Sequence, residues 1–244
     1  MKKSGNTILI TGGASGIGLA LAKRFYHLDN RIIIIGRNAA KLQAVRKIMP
    51  NITTYQIDLS KQQDLEQLLQ TIQEHHPDIN VLINNAGVQY NYDLTSEPIP
   101  YQRIDQEIAV NLSAVIKLSV MLLPLLDNKD SAIVNVTSSL AFAPKENAAV
   151  YCATKAALHS FTTTLRYQLE NSGTRVFELV PPLVDTDMTA GRGKDKISPD
   201  QVAREFEKAW IRDKYHAYIG KAKLIRLLAR YWPELLAKKM RANT

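Results

Sequence analysis

A tyrosine and a lysine at helical spacing are the residues of this chain best suited to proton transfer. Tyr151 and Lys155 are four positions apart, so on a helix they lie on one face about one turn apart. A phenol is a poor acid or base near pH 7 unless its pKa of about 10 is lowered, and a neighbouring ammonium lowers it by favouring the phenolate. Isolated pairs of this kind also arise by chance on solvated helix faces. The pair therefore predicts chemistry only if the chain also supplies a cofactor site and a group that polarises a substrate.

A glycine-rich turn near the start of the chain predicts a dinucleotide site. Residues 7–11 have the pattern of a short buried strand, and Gly12, Gly16 and Gly18 follow it at the start of a helix expected over 17–28. Glycines at this spacing permit a tight turn and let the backbone approach a pyrophosphate. The helix directs its free N–H groups and its positive dipole end at the same place. A merely tight strand-to-helix turn is the alternative interpretation.

The end of the second strand distinguishes the two nicotinamide dinucleotides. An NAD site usually has a carboxylate there, bonded to the ribose hydroxyls. Here the strand ends with Gly36, Arg37 and Asn38, and an arginine can pair with the 2′-phosphate of NADP by charge-assisted hydrogen bonds. Ser15 in the glycine turn can add a hydroxyl. NADP(H) is therefore favoured over NAD(H), the alternative being that Arg37 is an ordinary surface arginine beside the site.

Alternating strand and helix patterns predict the scaffold that positions these residues. The run at 31–35 is continuous and β-branched, as in strands buried on both faces, whereas 64–74 has helical spacing of its apolar residues. Such alternation predicts an α/β protein: a three-layer, doubly wound parallel sheet (Rossmann fold) of about seven strands with helices on both faces. Further strands are expected at 53–57, 81–83, 132–136 and 175–180, and further helices at 38–49, about 101–126 and from Tyr151 to about 171. Without a linker or repeat, residues 1–244 are expected to form one domain with a basic helical C-terminal extension from about 198.

Composition narrows the classes of protein. With 45% hydrophobic and 22% charged residues, the 244-residue chain is typical of an ordinary globular protein. Cys152 is the single cysteine, which favours a reducing, cytoplasmic setting, and no continuous apolar run approaches the roughly 18 residues of a membrane span. His75 and His76 lack partners at metal-ligand spacing, so no metal site is expected. No nucleic-acid-binding motif is present.

Positive charge is concentrated at the C-terminal end. Of the net charge of +8, the segment 194–244 carries +7, from thirteen Lys or Arg against six Asp or Glu. A solvated helical face explains this excess most simply. Contact with an anionic membrane surface or partner is the alternative.

Taken together, the motifs resemble those of the short-chain dehydrogenase/reductase family, in its single-domain branch, over about residues 6–190. Besides the glycine turn and the Tyr151–Lys155 pair, four features carry the resemblance: Asp58, Asn84-Asn85-Ala86-Gly87, Asn111 and Asn135-Val136-Thr137-Ser138. After the sixth strand the chain departs from the family's Pro-Gly and has Pro181-Pro182, which predicts a stiffer or rerouted loop. This loop and the basic tail are similar to those of a subgroup of oxidoreductases associated with teichoic-acid D-alanylation.

The resemblance implies a role for each residue of the site. Hydride passes between NADP(H) and the carbon of a carbonyl or secondary alcohol, while Tyr151 exchanges a proton with its oxygen. Lys155 lowers the pKa of the phenol and holds the nicotinamide ribose, Ser138 donates a hydrogen bond to the substrate oxygen, and Asn111 holds a water that relays protons. Ser138 is preferred to Ser139 because it alone lies thirteen residues before Tyr151, the family's usual separation. The expected cofactor-binding residues are Gly12, Ser15, Gly16, Ile17, Gly18, Arg37, Asn38, Asp58, Asn85, Ala86, Gly87, Tyr151, Lys155, Val184 and Thr186.

The substrate and the assembly are less sharply predicted. Loops at 88–100, 140–149 and 188–197 are expected to form a pocket for a small, apolar substrate, with 189–196 as a mobile lid. Its candidate residues, each of which could equally be packing, are Tyr90, Leu140 and Met188 beside Ser138 and Tyr151. A homodimer or homotetramer built on the two long helices is expected. An oxidoreductase is the predicted function, and a catalytically silent NADP(H)-binding sensor or scaffold is the alternative.

Overall fold

The protein is built on a seven-stranded parallel sheet with helices on both faces. The computed structural model describes residues 1–95, 98, 101–126 and 130–241, and the strand order in these residues is β3-β2-β1-β4-β5-β6-β7. The strands are β1 (Thr7–Thr11), β2 (Arg31–Gly36), β3 (Thr53–Gln56), β4 (Val81–Asn84), β5 (Ser131–Val136), β6 (Thr174–Val180) and β7 (His216–Tyr218). The helices are α1 (Gly16–Tyr26), α2 (Ala39–Ile48), α3 (Gln62–His75), α4 (Tyr101–Ile108), α5 (Ala114–Leu126), α6 (Ala149–Gln168), α7 (Pro199–Ile211), α8 (Ala222–Tyr231) and α9 (Pro233–Arg241). The predicted Rossmann-type fold is confirmed.

Alternate side chains of each central strand pack into two separate cores. Ile8 and Ile10 of β1 lie in the core beneath α1 and α7, whereas Leu9 lies in the core beneath α3 and α5. In β2 the same division separates Ile32 and Ile34 from Ile33 and Ile35. All of these side chains are fully buried, as expected for parallel strands covered on both faces.

The chain reverses its direction of travel across the sheet at β1. This strand pairs with β2 on one side and with β4 on the other, both in parallel register. In open α/β sheets the ligand crevice forms at such a switch point, beyond the carboxyl ends of the strands. The loops that follow β1, β2, β4 and β5 therefore determine what the site can bind.

The expected helical extension from about residue 198 is helical only in part. Helix α7 packs against α1, and Trp210 is fully buried among Phe25, Phe177 and Phe206. β7 then pairs with β6 and adds a strand to the edge of the sheet. Sequence periodicity did not reveal β7 because it has three residues, His216–Tyr218, and follows charged ones. Residues 199–218 are thus part of the main body, and α8 and α9 follow it.

The long helix expected at 101–126 contains a wider turn near its middle. α4 is followed by a π-helical segment, Ala109–Ser113, in which Ala114 N–H bonds to the carbonyl of Ala109, and then by α5. By length and composition alone, Tyr101–Leu126 is long and apolar enough to cross a membrane, contrary to the expectation that the chain has no such stretch. Its most apolar part, α5, packs its buried face into the core beneath the sheet.

Candidate active site

A cleft of about 320 Å³ lies at the switch point and contains most of the residues expected to bind a cofactor. Of these residues, the following line it: Gly12, Ser15, Gly16, Ile17, Arg37, Asn38, Asp58, Asn85, Ala86, Gly87, Tyr151, Lys155 and Thr186. Gly18 and Val184 are the two expected residues that do not. Gly18 packs deeper in the turn, and Val184 is buried in the core, where its backbone pairs with Ile197.

The glycine turn leaves its backbone open to a ligand. Gly12 and Gly16 have φ values of +65° and +53°, which favour glycine over other residues. At Gly18 a Cβ would lie 2.4 Å from Nδ2 of Asn85, so the helix can approach this side chain only because glycine lacks a Cβ. Ser15, the N-cap of α1, makes no side-chain hydrogen bond to the first turn of the helix. The N–H groups of that turn are therefore available to an anion, as a pyrophosphate requires.

Cations and a carboxylate line the outer end of the cleft. Arg37 follows β2, and Lys41 lies in the first turn of α2, whose N-cap is Asn38. Burial raises the pKa of Asp58, but hydrogen bonds from Ser60 and the charges of Arg37 and Lys61 outweigh it, so the net pKa is lowered. The Asp58 carboxylate is therefore ionised at neutral pH. It accepts hydrogen bonds from the backbone and hydroxyl of Ser60 at 3.0 and 2.7 Å.

Asn85, Ala86 and Gly87 form the floor between the two ends of the cleft. The N–H groups of Asn85 and Ala86 both donate to the Thr11 hydroxyl at 2.9 Å, and Asn85 Nδ2 donates to the Thr11 carbonyl at 3.0 Å. These bonds fix the segment after β4 against the end of β1. The site thereby joins the two strands at the switch point, as the motif predicts.

Asn111 reaches the inner end of the cleft from the π-helical segment. It is fully buried, and its side-chain amide pairs with the backbone of Val88 through two hydrogen bonds of 2.8 Å. A Cβ on Gly87 would lie 3.3 Å from Asn111 Oδ1 and 3.7 Å from Lys155 Nζ. Asn111 and Lys155 therefore border the same glycine, although Asn111 itself does not line the cleft.

Tyr151, Lys155 and Ser138 converge at the inner end of the cleft. Both α6 residues are buried, and Lys155 Nζ lies 5.7 Å from the centre of the Tyr151 ring. The ammonium donates to the carbonyl of Val136 at 2.8 Å, so the end of β5 fixes its position. The Ser138 hydroxyl is close enough to Tyr151 to lower the pKa of the phenol, and its Oγ accepts from the backbone N–H of Leu140 at 3.1 Å. The choice of Ser138 over Ser139 stays a prediction.

Burial shifts the pKa values of the two α6 residues toward their neutral forms. It raises the pKa of Tyr151 to about 12, despite the hydrogen bond from Ser138, which lowers it. Burial lowers the pKa of Lys155 to about 8. The sequence predicted that Lys155 would lower the pKa of the phenol, but removal from water has the larger effect here. The neutral phenol is therefore the form poised to donate a proton at neutral pH.

The expected substrate residues lie at different distances from this centre. Met188 lines the cleft, and Leu140 packs against the cluster that contains Tyr151 and Cys152. Tyr90 faces α4 instead, where its hydroxyl donates to Gln106 and Arg103 lies over its ring. The loop expected at 88–100 is described except for residues 96, 97, 99 and 100, which lie outside the described part of the chain.

The Pro181-Pro182 loop still reaches the glycine turn. Pro181 lines the cleft, and its carbonyl accepts from the N–H of Ser139 at 3.0 Å. Further along the loop, Thr186 Cγ2 lies where a Cβ on Gly16 would come within 3.0 Å of it. The second proline therefore does not prevent the loop from closing over the cofactor cleft.

Three residues with a place at the site were not found from the sequence. Lys41 lines the cleft and bonds to Asp187 at 2.5 Å, linking α2 to the loop after β6. Thr11 fixes Asn85 and Ala86 in place by accepting hydrogen bonds from both residues. Glu107 is fully buried, and it accepts hydrogen bonds from the Tyr92 hydroxyl at 2.7 Å and the Tyr90 N–H at 3.1 Å. Each had only a weak signal in the sequence. Lys41 is a second cation near Arg37, Thr11 is a threonine at the end of a strand, and Glu107 is an acidic residue one turn before Asn111.

The fold and the cleft define a dinucleotide-binding α/β protein, and comparison with known proteins identifies its family. The sequence model of the short chain dehydrogenase family matches residues 6–197. The chain belongs to this family of oxidoreductases.

Three individual proteins illustrate the relationship. The chain is 44% identical over 197 residues to the uncharacterised oxidoreductase DltE of Bacillus subtilis, covering 80% of this chain and 78% of that protein, which agrees with the expected subgroup. A short chain dehydrogenase from Burkholderia cenocepacia, solved with NADP, has a TM-score of 0.87 at 23% identity and covers 98% of this chain and 99% of its own. One from Burkholderia phymatum, solved with NAD, has a TM-score of 0.86 at 20% identity, covering 100% and 98%. At these identities the two structures show a common fold.

Proposed function

We propose that the protein is an NADP(H)-dependent oxidoreductase that transfers hydride between the nicotinamide and the carbonyl or secondary alcohol carbon of a small, apolar substrate. The observation that carries this proposal is the convergence of Tyr151, Lys155 and Ser138 at the inner end of a cleft whose outer end is cationic. The bound nicotinamide would supply or accept the hydride. The side chains of this chain would control the proton and the substrate oxygen.

Each side chain has a role that follows from its position. Tyr151 Oη donates the proton to the oxygen that becomes an alkoxide during reduction, and recovers it during oxidation. Ser138, whose hydroxyl lies close enough to Tyr151 to lower the pKa of the phenol, donates to the same substrate oxygen and stabilises its developing charge. Lys155, held by Val136, binds the nicotinamide ribose hydroxyls and stabilises the phenolate that remains after proton transfer. Asn111 bounds the path by which a water relays a proton toward Lys155.

The preference for NADP(H) rests on the cations at the outer end of the cleft. Arg37 occupies the position after β2 where an acidic residue would select NAD. Lys41 lines the same end but is paired with Asp187 at 2.5 Å, so the proposed contact with the 2′-phosphate rests mainly on Arg37. Related structures have been solved with either dinucleotide, which makes the local charge the better guide. Asp58 would contact the adenine ring and Thr186 the carboxamide, whereas Val184, whose side chain is buried in the core, could contact the carboxamide only through its backbone.

Apolar side chains near Tyr151 support a small, apolar substrate. Leu140 packs against the cluster that contains Tyr151, and Met188 lines the cleft from the loop after β6. Tyr92, buried against Glu107, and Tyr90 hold the loop after β4 in place rather than facing the cleft. We therefore assign Leu140 and Met188 to contact with the substrate. Tyr90, which contacts α4, is assigned a structural role outside the cleft.

One substitution separates the oxidoreductase from a silent sensor or scaffold. Tyr151→Phe removes the proton donor and keeps the ring, so we expect turnover to fall about 10²- to 10⁴-fold while NADPH binding stays within a few-fold. Turnover would be followed by NADPH oxidation with a panel of ketones, aldehydes and quinones, and binding by NADPH fluorescence. Tyr167→Phe, on an exposed position of the same helix, is the matched control. A wild-type protein that binds NADPH and turns over none of the panel would support the sensor.

We also propose a cytoplasmic homodimer or homotetramer. Exposed apolar side chains on the two long helices, among them Val120 and Tyr167, offer surfaces for self-association. Light scattering of the purified protein measures its oligomeric state directly. A monomer at micromolar concentration would refute this assembly.

A further inference from the structure

The last two helices expose an apolar stripe that the rest of the protein does not cover. α8 and α9 contact each other, α8 also contacts the segment Ser139–Ala141, and the buried residues of the two helices are Ala222 and Leu236. We call residues 221–241 the C-terminal helical pair. Its large, exposed apolar side chains are Leu224, Leu227, Tyr231, Trp232 and Leu235, each between 46% and 63% exposed. Exposed apolar residues grouped in this way mark an interaction surface.

The stripe has cations along one side. Leu224, Leu227 and Tyr231 follow a spacing of three and four residues, so they share one face of α8. Lys223, Arg226 and Arg230 each precede one of them by one position, which places the cations about 100° around the helix axis. The helix therefore has a buried face, an exposed apolar face and a cationic face. This is the arrangement of a helix that lies in the interface of a bilayer.

Aromatic side chains occupy the junction of the two helices. Tyr231 ends α8 and Trp232 follows it, with ring centres 6.0 Å apart, and both are exposed. Tyr and Trp favour the boundary between lipid headgroups and acyl chains, where an apolar ring and a polar atom are both accommodated. Leu235 continues the apolar surface onto α9.

Charge decides which partner this surface fits. Residues 221–241 contain seven Lys or Arg and one acidic residue, Glu234. A two-fold contact between two copies would set one such surface against the other, because a symmetric interface uses the same patch on both subunits. Like charges would then meet across an apolar seam. An anionic lipid surface instead pairs with the cations and also accepts the leucines and aromatics.

We propose that the C-terminal helical pair docks this protein onto the surface of an anionic bilayer, with α8 lying parallel to it. Leu224, Leu227 and Trp232 enter the headgroup region, and Lys223, Arg226 and Arg230 pair with lipid phosphates. Arg226 lies over the ring of Tyr218, 4.7 Å from its centre, and Tyr218 contacts Phe142. The docked helix is thus linked by direct contacts to the segment after Ser138.

The two tryptophans give a direct test on the intact protein. Trp210 is fully buried and Trp232 is 59% exposed, and the chain has no other tryptophan. With vesicles of phosphatidylglycerol and phosphatidylcholine at low salt, we expect a blue shift of the emission and quenching by brominated lipid. Trp232→Phe should abolish both signals without loss of vesicle binding in a flotation assay. An unchanged emission of Trp232 in the presence of bound vesicles would refute the docking geometry.

Paired variants separate the contributions of charge and apolar contact. Leu224→Ser should weaken vesicle binding roughly tenfold, whereas Ile48→Ser, at an equally exposed position (both 57%), should leave it unchanged. Lys223→Glu should weaken binding about tenfold, and Lys47→Glu, the same charge change on α2, should not. Circular dichroism and thermal unfolding establish that all four variants fold. None of these measurements depends on turnover or on cofactor binding.

Three results would overturn the proposal. They are failure to bind anionic vesicles at low salt, equal binding to pure phosphatidylcholine, and equal losses in the α8 variants and their α2 controls. If vesicles do not bind and Leu224→Ser instead dissociates an oligomer, the stripe is a contact between copies of the chain. Loss of vesicle binding at high salt, expected from screening of the cations, would support the docked state.

Discussion

At Tyr151, burial raises the pKa of the phenol, whereas its spacing from Lys155 alone predicts a lower pKa. Their separation correctly placed them on one face of α6, but spacing says nothing about water, and both side chains are buried. The resulting pKa of Lys155, about 8, is close enough to neutrality for this residue to exchange a proton. The burial of Glu107 and Asn111 could not be predicted from the sequence either, because the burial of a polar side chain depends on packing between distant elements.

Arg37 is the residue on which cofactor preference should depend. Arg37→Asp replaces a cation by the carboxylate typical of NAD sites, so we expect NADPH to bind about 10- to 100-fold more weakly while NADH binding holds or improves. Titrations followed by nucleotide fluorescence give both dissociation constants. Arg204→Asp, an exposed change on α7, is the control for net charge. Equal weakening of both nucleotides would show that Arg37 does not read the 2′-phosphate.

Glu178 should make stability depend on acid pH. This fully buried carboxylate accepts hydrogen bonds from Thr137 at 2.8 Å, His159 at 2.9 Å and His216 at 3.1 Å. Burial raises its pKa, but the two histidines and Thr137 outweigh burial and lower the pKa to about 2, below the ordinary value of 4.5. The folded state therefore releases this proton more readily than the unfolded chain. The stabilisation, on the order of 3 kcal/mol, is complete above pH 4.5 and is lost as the pH falls toward 2.

Glu178→Gln isolates this contribution. The variant should be less stable than the wild type at pH 7, and the difference should narrow between pH 4.5 and pH 3. Urea unfolding at each pH measures the free energy of unfolding. Glu170→Gln, at an exposed position, should leave the profile unchanged. If the difference in the free energy of unfolding stays constant between pH 4.5 and pH 3, Glu178 stabilises the protein through its packing rather than its charge.

At the scale of elements, sequence patterns located the strands and helices better than their ends and partners. Continuous β-branched runs identified β1, β2 and β5 because burial on both faces leaves no alternation to misread. β7 gave no such signal, because its three residues form a strand only by pairing with β6. The π-helical segment Ala109–Ser113 also had no signature in the sequence.

The segment expected to act as a lid, 189–196, should change its dynamics on ligand binding. Gly191, Gly193 and Asp195 all have positive φ, and long side-chain bonds join the segment to residues outside it, from Lys196 Nζ to Asp185 at 3.4 Å and from Lys221 Nζ to Asp195 at 3.5 Å. We expect fast amide hydrogen exchange at 190–195 in the free protein and at least tenfold slower exchange with NADPH and a substrate or product. β6 is the internal reference and should exchange slowly in both states. Exchange in this segment as slow as in β6 without ligand would exclude a lid.

At the scale of the whole molecule, the packing of α7 on α1 bears on the proposal that the chain is one domain. The aromatic cluster around Trp210 joins residues from both ends of the chain, including Phe25 and Phe206. We therefore expect one unfolding transition, with the same midpoint for circular dichroism and for Trp210 emission in a Trp232→Phe background. Phe206→Ala should lower the free energy of unfolding by about 3–5 kcal/mol, and Tyr101→Ala, at an exposed position, should change it little. A separate early loss of the Trp210 signal would indicate two units.

The π-helical segment has a consequence for how this molecule can diversify. One extra residue per turn rotates α4 relative to α5 by about 100°, so a single long helix faces two different surroundings. α5 packs its buried face against the sheet, whereas α4 directs Glu107 to the loop after β4. Substitutions in α4 can therefore alter its contacts with the loop after β4 without changing which residues of α5 face the core. A one-residue deletion within 109–113 would rotate α4 relative to α5 by about 100° and remove this independence.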